Sequence, residues 1–310
     1  MIINRLLSGY LFCSKIFKKE KSWDYFCTMG NNWYGKIIEK VEVIDMASEG
    51  KCVAKDHEGR VVFVTKAAPG DVVDLRVYAK DKKFFEAEPV FFHKYAENRT
   101  EPFCIHFGTC GGCKWQHINY ETQLFYKQKQ VKDALERIGK LELPEISPIL
   151  GSEQTRFYRN KLDFTFSNKR WLESKDEGVE SQTNALGFHI PGRFDKVLDI
   201  TECHLQTDPS NQIRNALKEF ALQHNLTFFD LKKQDGLLRN LIIRIASTGE
   251  IMVIVQFFLD DRKNIEKVMQ FLKTQFPEIT SLLYIINSKA NETFFDQEII
   301  VYVGKDHIVE

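Results

Sequence analysis

The rhythm of apolar and polar positions changes along this chain, and each change marks a different kind of structure. From about 35 to 93 the apolar residues come in short runs separated by turn residues. Val41 and Val43 alternate with charged neighbours. Asp56-His57-Glu58-Gly59 reads as a hairpin turn, followed by a strand at Val61-Val62-Phe63-Val64. Ala68-Pro69-Gly70-Asp71 reads as a second turn, followed by a strand over 72–77. Lys80-Asp81-Lys82-Lys83 separates that strand from the apolar run 84–92. Four or five short strands in about 60 residues predict a small closed barrel of the oligonucleotide-binding kind. A barrel that binds nothing fits the same pattern equally well.

Beyond a cysteine-bearing loop the period becomes helical. Leu124, Val131, Leu135 and Ile138 fall on one face, and Gly139 and Pro144 end the run. Lys127, Lys129 and Lys132 read as a solvated face of that helix. From about 155 the pattern alternates between strands and helices. Leu162, Phe164 and Phe166 alternate with Asp163 and Thr165, the mark of a half-buried strand. Two arms flank the turn Pro191-Gly192. Asp208-Pro209-Ser210 opens a helix carrying Ile213, Leu217 and Phe220 on one side. Strands near 238–246 and 251–259, a helix near 262–275 and strands near 281–287 and 294–303 complete the reading. The charge-rich run 173–180 reads as a solvated hairpin tip.

Composition narrows the function classes. The 310 residues carry 43 basic and 43 acidic side chains, so no global field draws in an anionic partner and any nucleic-acid surface must be local. Seven cysteines, an odd number without framework spacing, argue against a secreted disulfide scaffold and for a reducing compartment. No stretch reaches the roughly 18 apolar residues of a membrane span. The first 34 residues differ from the rest, with an apolar patch over 6–12 followed by Lys15, Lys18, Lys19 and Lys21. They read as a leader that need not be native, with Met29 as an alternative start.

Cys104, Cys110 and Cys113 follow a C-x5-C-x2-C spacing, with Gly111 and Gly112 between the last two, and Cys203 stands far downstream. Structural zinc normally takes paired knuckles. A cubane cluster accepts three clustered thiolates and a remote fourth. Spacing favours the cluster and leaves zinc and unligated core cysteines open. Cys13, Cys27 and Cys52 lie outside the pattern, and His106, His117 and His204 read as satisfied surface histidines. A second constellation is basic. Arg156, Arg159 and Lys161 precede or open a strand, with Arg159 and Lys161 on the face opposite Leu162, while Arg239, Asn240 and Arg244 cluster on another strand. Guanidinium groups suit phosphate and exposed bases, although basic strand positions are commonly solvated edges.

Several segments together carry a resemblance: Pro102-Phe103-Cys104, the run from Cys110 to Gln116, Tyr158-Arg159-Asn160-Lys161, Leu186-Gly187-Phe188, and Ile200-Thr201-Glu202-Cys203-His204-Leu205. The chain resembles the 23S rRNA (uracil-5-)-methyltransferase family over about 35 to 310. The barrel, with Gly50, Phe63 and Pro69-Gly70-Asp71, resembles that family's TRAM domain, an RNA-binding module. The resemblance implies Cys104, Cys110, Cys113 and Cys203 as ligands of a [4Fe–4S] cluster, structural or RNA-positioning in role. It implies Arg159, Lys161 and Arg239 as candidate RNA contacts, to which the basic constellation adds Arg156 and Arg244. It also implies methyl transfer from S-adenosylmethionine to carbon 5 of a uridine, with ribosomal RNA as the expected partner.

The departures from that family set the remaining expectations. No glycine-rich strand–turn–helix and no Cys-Asn-Pro follows the central region. The expected fold class is α+β: a leader over 1–34, an OB-like TRAM barrel over 35–94 and a mixed α/β iron–sulfur domain over 95–310, with the catalytic Rossmann-like domain absent. No catalytic residue or S-adenosylmethionine pocket is assigned, so the chain is expected to be inactive by itself. The alternatives are a stand-alone RNA-binding module or an iron–sulfur redox protein. The expected setting is cytoplasmic, and the expected state a monomer without membrane attachment.

Overall fold

The computed structural model describes residues 33–172 and 183–310. The leader over 1–32, with Cys13, Cys27 and Met29, and the charge-rich run 173–180 lie outside the described residues.

Five strands close into a barrel: β1 (Ile37–Met46), β2 (Cys52–Lys55), β3 (Val61–Val64), β4 (Val72–Lys80) and β5 (Phe84–Lys94), in the order β1-β2-β3-β5-β4. Alternation fills its interior, with Val43, Ala54, Val62, Val64, Val73 and Leu75 all fully buried. Each such Val or Leu side chain contributes roughly 1.5–3 kcal/mol relative to exposure. Both predicted turns form. Asp56 takes the amides of Glu58 and Arg60 on its Oδ1 at 3.0 and 2.8 Å, and Asp71 N–H donates to the Ala68 carbonyl at 3.0 Å. Cys52 is a core residue, its thiol donating to the Ala67 carbonyl at 3.0 Å and pushed up to about 12 by burial.

The chain leaves the barrel through a loop whose two ends are zipped together. Arg99 and Ile118 bridge, Thr100 N–H donates to the His117 carbonyl at 3.0 Å, and Asn119 N–H donates to the Asn98 carbonyl at 2.9 Å. Ile118 packs into the barrel core. The cysteine-bearing segment between these points is therefore anchored to the barrel at both ends. Helix α1 (Tyr120–Asp133) follows, capped by Asn119, which accepts from Thr122 N–H at 2.9 Å. It continues as a π-turn over Ala134–Ile138 and stops at Gly139, as the sequence predicts. Its apolar stripe is not buried, however. No residue of α1 is buried, and Val131 and Ile138 are 57% and 84% exposed.

The second unit is a seven-stranded sheet in the order β12-β11-β10-β9-β6-β7-β8. Its strands are β6 (Lys161–Ser167), β7 (Ala185–Ile190), β8 (Arg193–Asp199), β9 (Leu238–Ile245), β10 (Ile251–Phe257), β11 (Ser281–Ile286) and β12 (Ile299–Gly304). Only β10 and β11 pair in parallel, and α3 (Arg262–Gln275) makes the crossover that parallel pairing requires. Helix α2 (Ser210–Gln223) joins α3 on one face, burying Leu162, Phe164, Phe166, Ile213, Leu217, Val268 and Leu272 in a single core. The opposite, helix-free face carries Lys161, Asp163, Ile242, Arg244, Met252 and Ile254, as the strand registers dictate. Among the described residues no helix is long and apolar enough to cross a membrane.

Candidate functional site

The four cysteines of the spacing pattern come together. Two turns fold the loop: Phe107 N–H donates to the Cys104 carbonyl at 3.0 Å, and Cys110 N–H donates to the His106 carbonyl at 2.9 Å. Gly112 N–H then donates to Cys110 Sγ at 3.3 Å. Gly111 lies against the β7–β8 hairpin, where a Cβ would sit 3.0 Å from the His189 carbonyl oxygen. The glycine pair thus permits a close approach between loop and sheet domain. Cys203 arrives from the connection between β8 and α2, held at both ends of its peptide unit. Its N–H donates to Asn211 Oδ1 at 2.8 Å, and Asn211 Nδ2 donates to its carbonyl at 3.2 Å. His106 Nε2 and Thr201 N–H, 3.2 Å apart, tie the loop to the segment before Cys203.

The electrostatics mark these thiols as one group. Burial pushes Cys110 up to about 11, with Cys113, Cys203 and Cys104 adding to the rise. Burial also raises Cys203, and again Cys113 and Cys104 add to it. Cys104 is raised by burial first and by Cys113 after it. All four are free thiols. Among the described residues, no three of Cys, His, Asp and Glu converge closely enough to hold a single metal ion.

Behind Cys203 lies a residue that sequence reading missed. Arg214 on α2 is fully buried and sits over the Phe164 ring at 4.9 Å. It donates to the carbonyls of Ile200 and Thr201 at 3.2 and 2.9 Å and to Asn211 Oδ1 at 2.9 Å. Burial lowers its pKa to about 10, and the neighbouring Cys203 charge works against that fall. It makes no ion pair with a carboxylate among the described residues. The available signal was its position next to Ile213, on the buried side of an amphipathic helix.

One histidine differs from its reading. His117 is not at the surface: it is buried, with its Nε2 2.9 Å from the Ala67 carbonyl oxygen. His106 meets Thr201, and His204 stands edge-on to Phe103 at 5.4 Å.

Four of the five predicted basic contacts lie on accessible surface. Arg156 is exposed, with its guanidinium 4.0 Å over the Phe103 ring. It lines a cleft of about 790 Å³ between the barrel, the cysteine loop, α1 and the segment before β6. Arg159 and Lys161 line a neighbouring groove of about 680 Å³. Lys161 pairs across the strand with Arg244, which is exposed. Arg239 is the correction. It is fully buried, donates to the carbonyls of Asn287, Lys289 and Asn291 at 2.8, 2.6 and 2.8 Å, and sits over the rings of Phe229 and Phe258. An arginine so enclosed clamps the loop after β11 and cannot reach RNA. Strand parity held the signal, since Arg239 shares the face of Leu241 and Ile243.

Comparisons with known proteins bear on this geometry. Residues 35–90 match the TRAM domain model. A protein of Bacteroides thetaiotaomicron described as an uncharacterized RNA methyltransferase is 56% identical over 271 residues, covering 86% of this chain and 60% of that protein. A Porphyromonas gingivalis protein of the same description is 49% identical, covering 87% of this chain and 60% of that protein. Among solved structures, the Pyrococcus abyssi tRNA (uracil-54, C5)-methyltransferase in complex with S-adenosyl-L-homocysteine matches with a TM-score of 0.58 at 22% identity. The match covers 87% of this chain and 56% of that one. The chain spans about three-fifths of the length of the curated relatives it matches. It carries a TRAM domain and is similar to RNA methyltransferases along nearly all of its length. The expected absence of a catalytic Rossmann-like domain is overturned, and with it the reading as an inactive truncated chain or stand-alone binding module. The similarity to a protein described as an RNA methyltransferase runs along 86% of the chain at 56% identity.

Proposed function

We propose that this chain acts in the methylation of carbon 5 of a uridine in RNA, with S-adenosylmethionine as methyl donor. The observation that carries the reading is the cationic strip of exposed Arg156, Arg159 and Arg244 with half-buried Lys161 beside a TRAM barrel, in a chain similar to RNA methyltransferases. The barrel and the helix-free face of the sheet bind the RNA. Their cations contact phosphate, which sets register without reading sequence. No residue of this chain is assigned to the methyl-donor pocket. The sequence resemblance favours ribosomal RNA, whereas the solved neighbour is a transfer RNA methyltransferase.

In the same reading Cys104, Cys110, Cys113 and Cys203 hold a [4Fe–4S] cluster. Support comes from the contact of His106 with Thr201, which ties the cysteine loop to the segment before Cys203, and from the backbone donor that Gly112 offers to Cys110. When bound, the cluster supplies a covalent tie between the loop anchored on the barrel and the β8–α2 connection. The chain's own part is orientation: Asn211 fixes the Cys203 peptide, and Arg214 places a positive charge beside the thiolates.

The test is incubation of the protein with methyl-labelled S-adenosylmethionine and either 23S rRNA or tRNA transcripts, followed by nucleoside mass spectrometry. Labelled 5-methyluridine in either transcript is expected. Label at another position, or RNA that neither binds nor is methylated, would overturn the reading. Iron and sulfide analysis of anaerobically purified protein, with a visible spectrum, tests the cluster separately. Protein that folds with zinc and no iron would remove it.

A further inference from the structure

Tyr158 stands between two cavities. It lines the cleft of about 790 Å³ on one side and the groove of about 680 Å³ on the other. Its side chain is 56% exposed, and every residue from 151 to 160 is exposed with it. The ring therefore contributes little to any core. Its backbone is nonetheless held on both sides. Phe157 N–H donates to the His204 carbonyl and Arg159 N–H to the Leu205 carbonyl, each at 2.8 Å. Phe157 also adopts a φ of 57°, an uncommon conformation for an aromatic residue, which the flanking bonds sustain. A solvent-exposed aromatic on a backbone this tightly fixed is a prepared surface.

The surroundings specify what it would receive. Arg156 and Arg159 flank Tyr158 in sequence and line opposite cavities. The larger cleft adds exposed Lys127 and the amide side chains of Gln123 and Gln154. Its wall also carries Trp115, whose buried Nε1 has no partner. Its volume falls within the range of small-ligand pockets. Cations suit a phosphate backbone, amides suit base edges, and the open ring face suits a base that has left its stack.

We propose that Tyr158 is a stacking platform for an unpaired base of single-stranded RNA, with the neighbouring nucleotides running into the two cavities. This rests on the RNA substrate of the proposed function and narrows it to RNA with a locally single-stranded segment. A paired base has both faces occupied by its neighbours and cannot lie on the ring. Arg156, already stacked on Phe103, is pre-oriented beside it and loses little freedom on meeting a phosphate.

The experiment measures binding of a short labelled RNA, either single-stranded or annealed to its complement, to the whole protein and to Tyr158→Ala and Tyr158→Phe. The wild type is expected to favour the single strand. Tyr158→Ala is expected to weaken single-strand binding about tenfold, the loss of one base–aromatic stack, while Tyr158→Phe stays within about twofold. Duplex binding is expected to be the same in all three. The inference is overturned by unchanged single-strand affinity in Tyr158→Ala, by an equal loss in Tyr158→Phe, or by a parallel fall in duplex binding. A wild type that binds neither RNA would defeat the RNA reading itself, and the platform with it.

Discussion

Arg99 closes on Asp71 with two hydrogen bonds, Nε to Oδ1 at 2.8 Å and Nη2 to Oδ2 at 2.7 Å. The same carboxylate accepts from the amides of Ala68 at 2.6 Å and Ala96 at 2.9 Å. It is fully buried, so four donors replace the water it has lost. One side chain thereby joins a barrel turn to the strand exit, from which the cysteine loop departs. Asp71→Ala should destabilise the barrel by about 3 kcal/mol, because it strands the Arg99 charge and two amides. A urea unfolding curve checks this, and a midpoint matching wild type would refute it.

Lys161 and Arg244 face each other across β6 and β9, on the side of the sheet that carries no helix. If RNA lies on that face, reversing both charges should weaken binding and flatten its salt dependence. Each phosphate contact removed should reduce the slope by about one. Titrations of Lys161→Glu/Arg244→Glu at several salt concentrations provide the measurement. An unchanged slope would exclude these two residues from the interface.

Cys203 lies in the sheet-domain core, and Cys104, Cys110 and Cys113 sit on a loop rooted in the barrel, with Cys110 and Cys113 packed against that same core. A group bound by all four would couple the two units. Cys203→Ser should then lose iron and lower the unfolding temperature together. Iron lost with no change in thermal unfolding would confine the cluster to a role other than structural.

Asp230 offers a test in pH. Burial would raise its pKa, but Asn168, the amides of Lys233 and Lys232, and the Lys169 charge outweigh burial and hold it at about 2. The folded value lies below the ordinary aspartate value of about 3.9, so the group stabilises the fold above that pH. The contribution should fade as pH falls through the folded value of about 2. Urea midpoints of wild type and Asp230→Asn should differ at neutral pH and converge in acid. A gap that persists unchanged into acid would show that charge is not the cause.

Much of the fold was legible because period and turn chemistry are local. The alternation of Leu162, Phe164 and Phe166 predicted a one-sided strand, and all three are buried. The same reasoning failed on α1, whose apolar residues recur at helical spacing yet none is buried. Periodicity states which face is apolar; only a partner surface buries it. Arg239 and Arg244 appear equivalent in a list of basic residues. Strand parity separates them, and pairing with β10 and β6 decides that one face is core and the other solvent.

The sequence by itself determined the barrel's strands and turns and the order of strands and helices after it. Those features follow from side-chain size, polarity and spacing along the chain, which folding does not alter. Tertiary structure decided which residues meet across it. It brought Cys203 to the loop of Cys104, enclosed Arg239 among three carbonyls, set Arg214 behind the thiols and left Tyr158 open between two cavities. These juxtapositions depend on strand register and on helices crossing the sheet. They arise from burial shared between distant segments, which no local pattern contains.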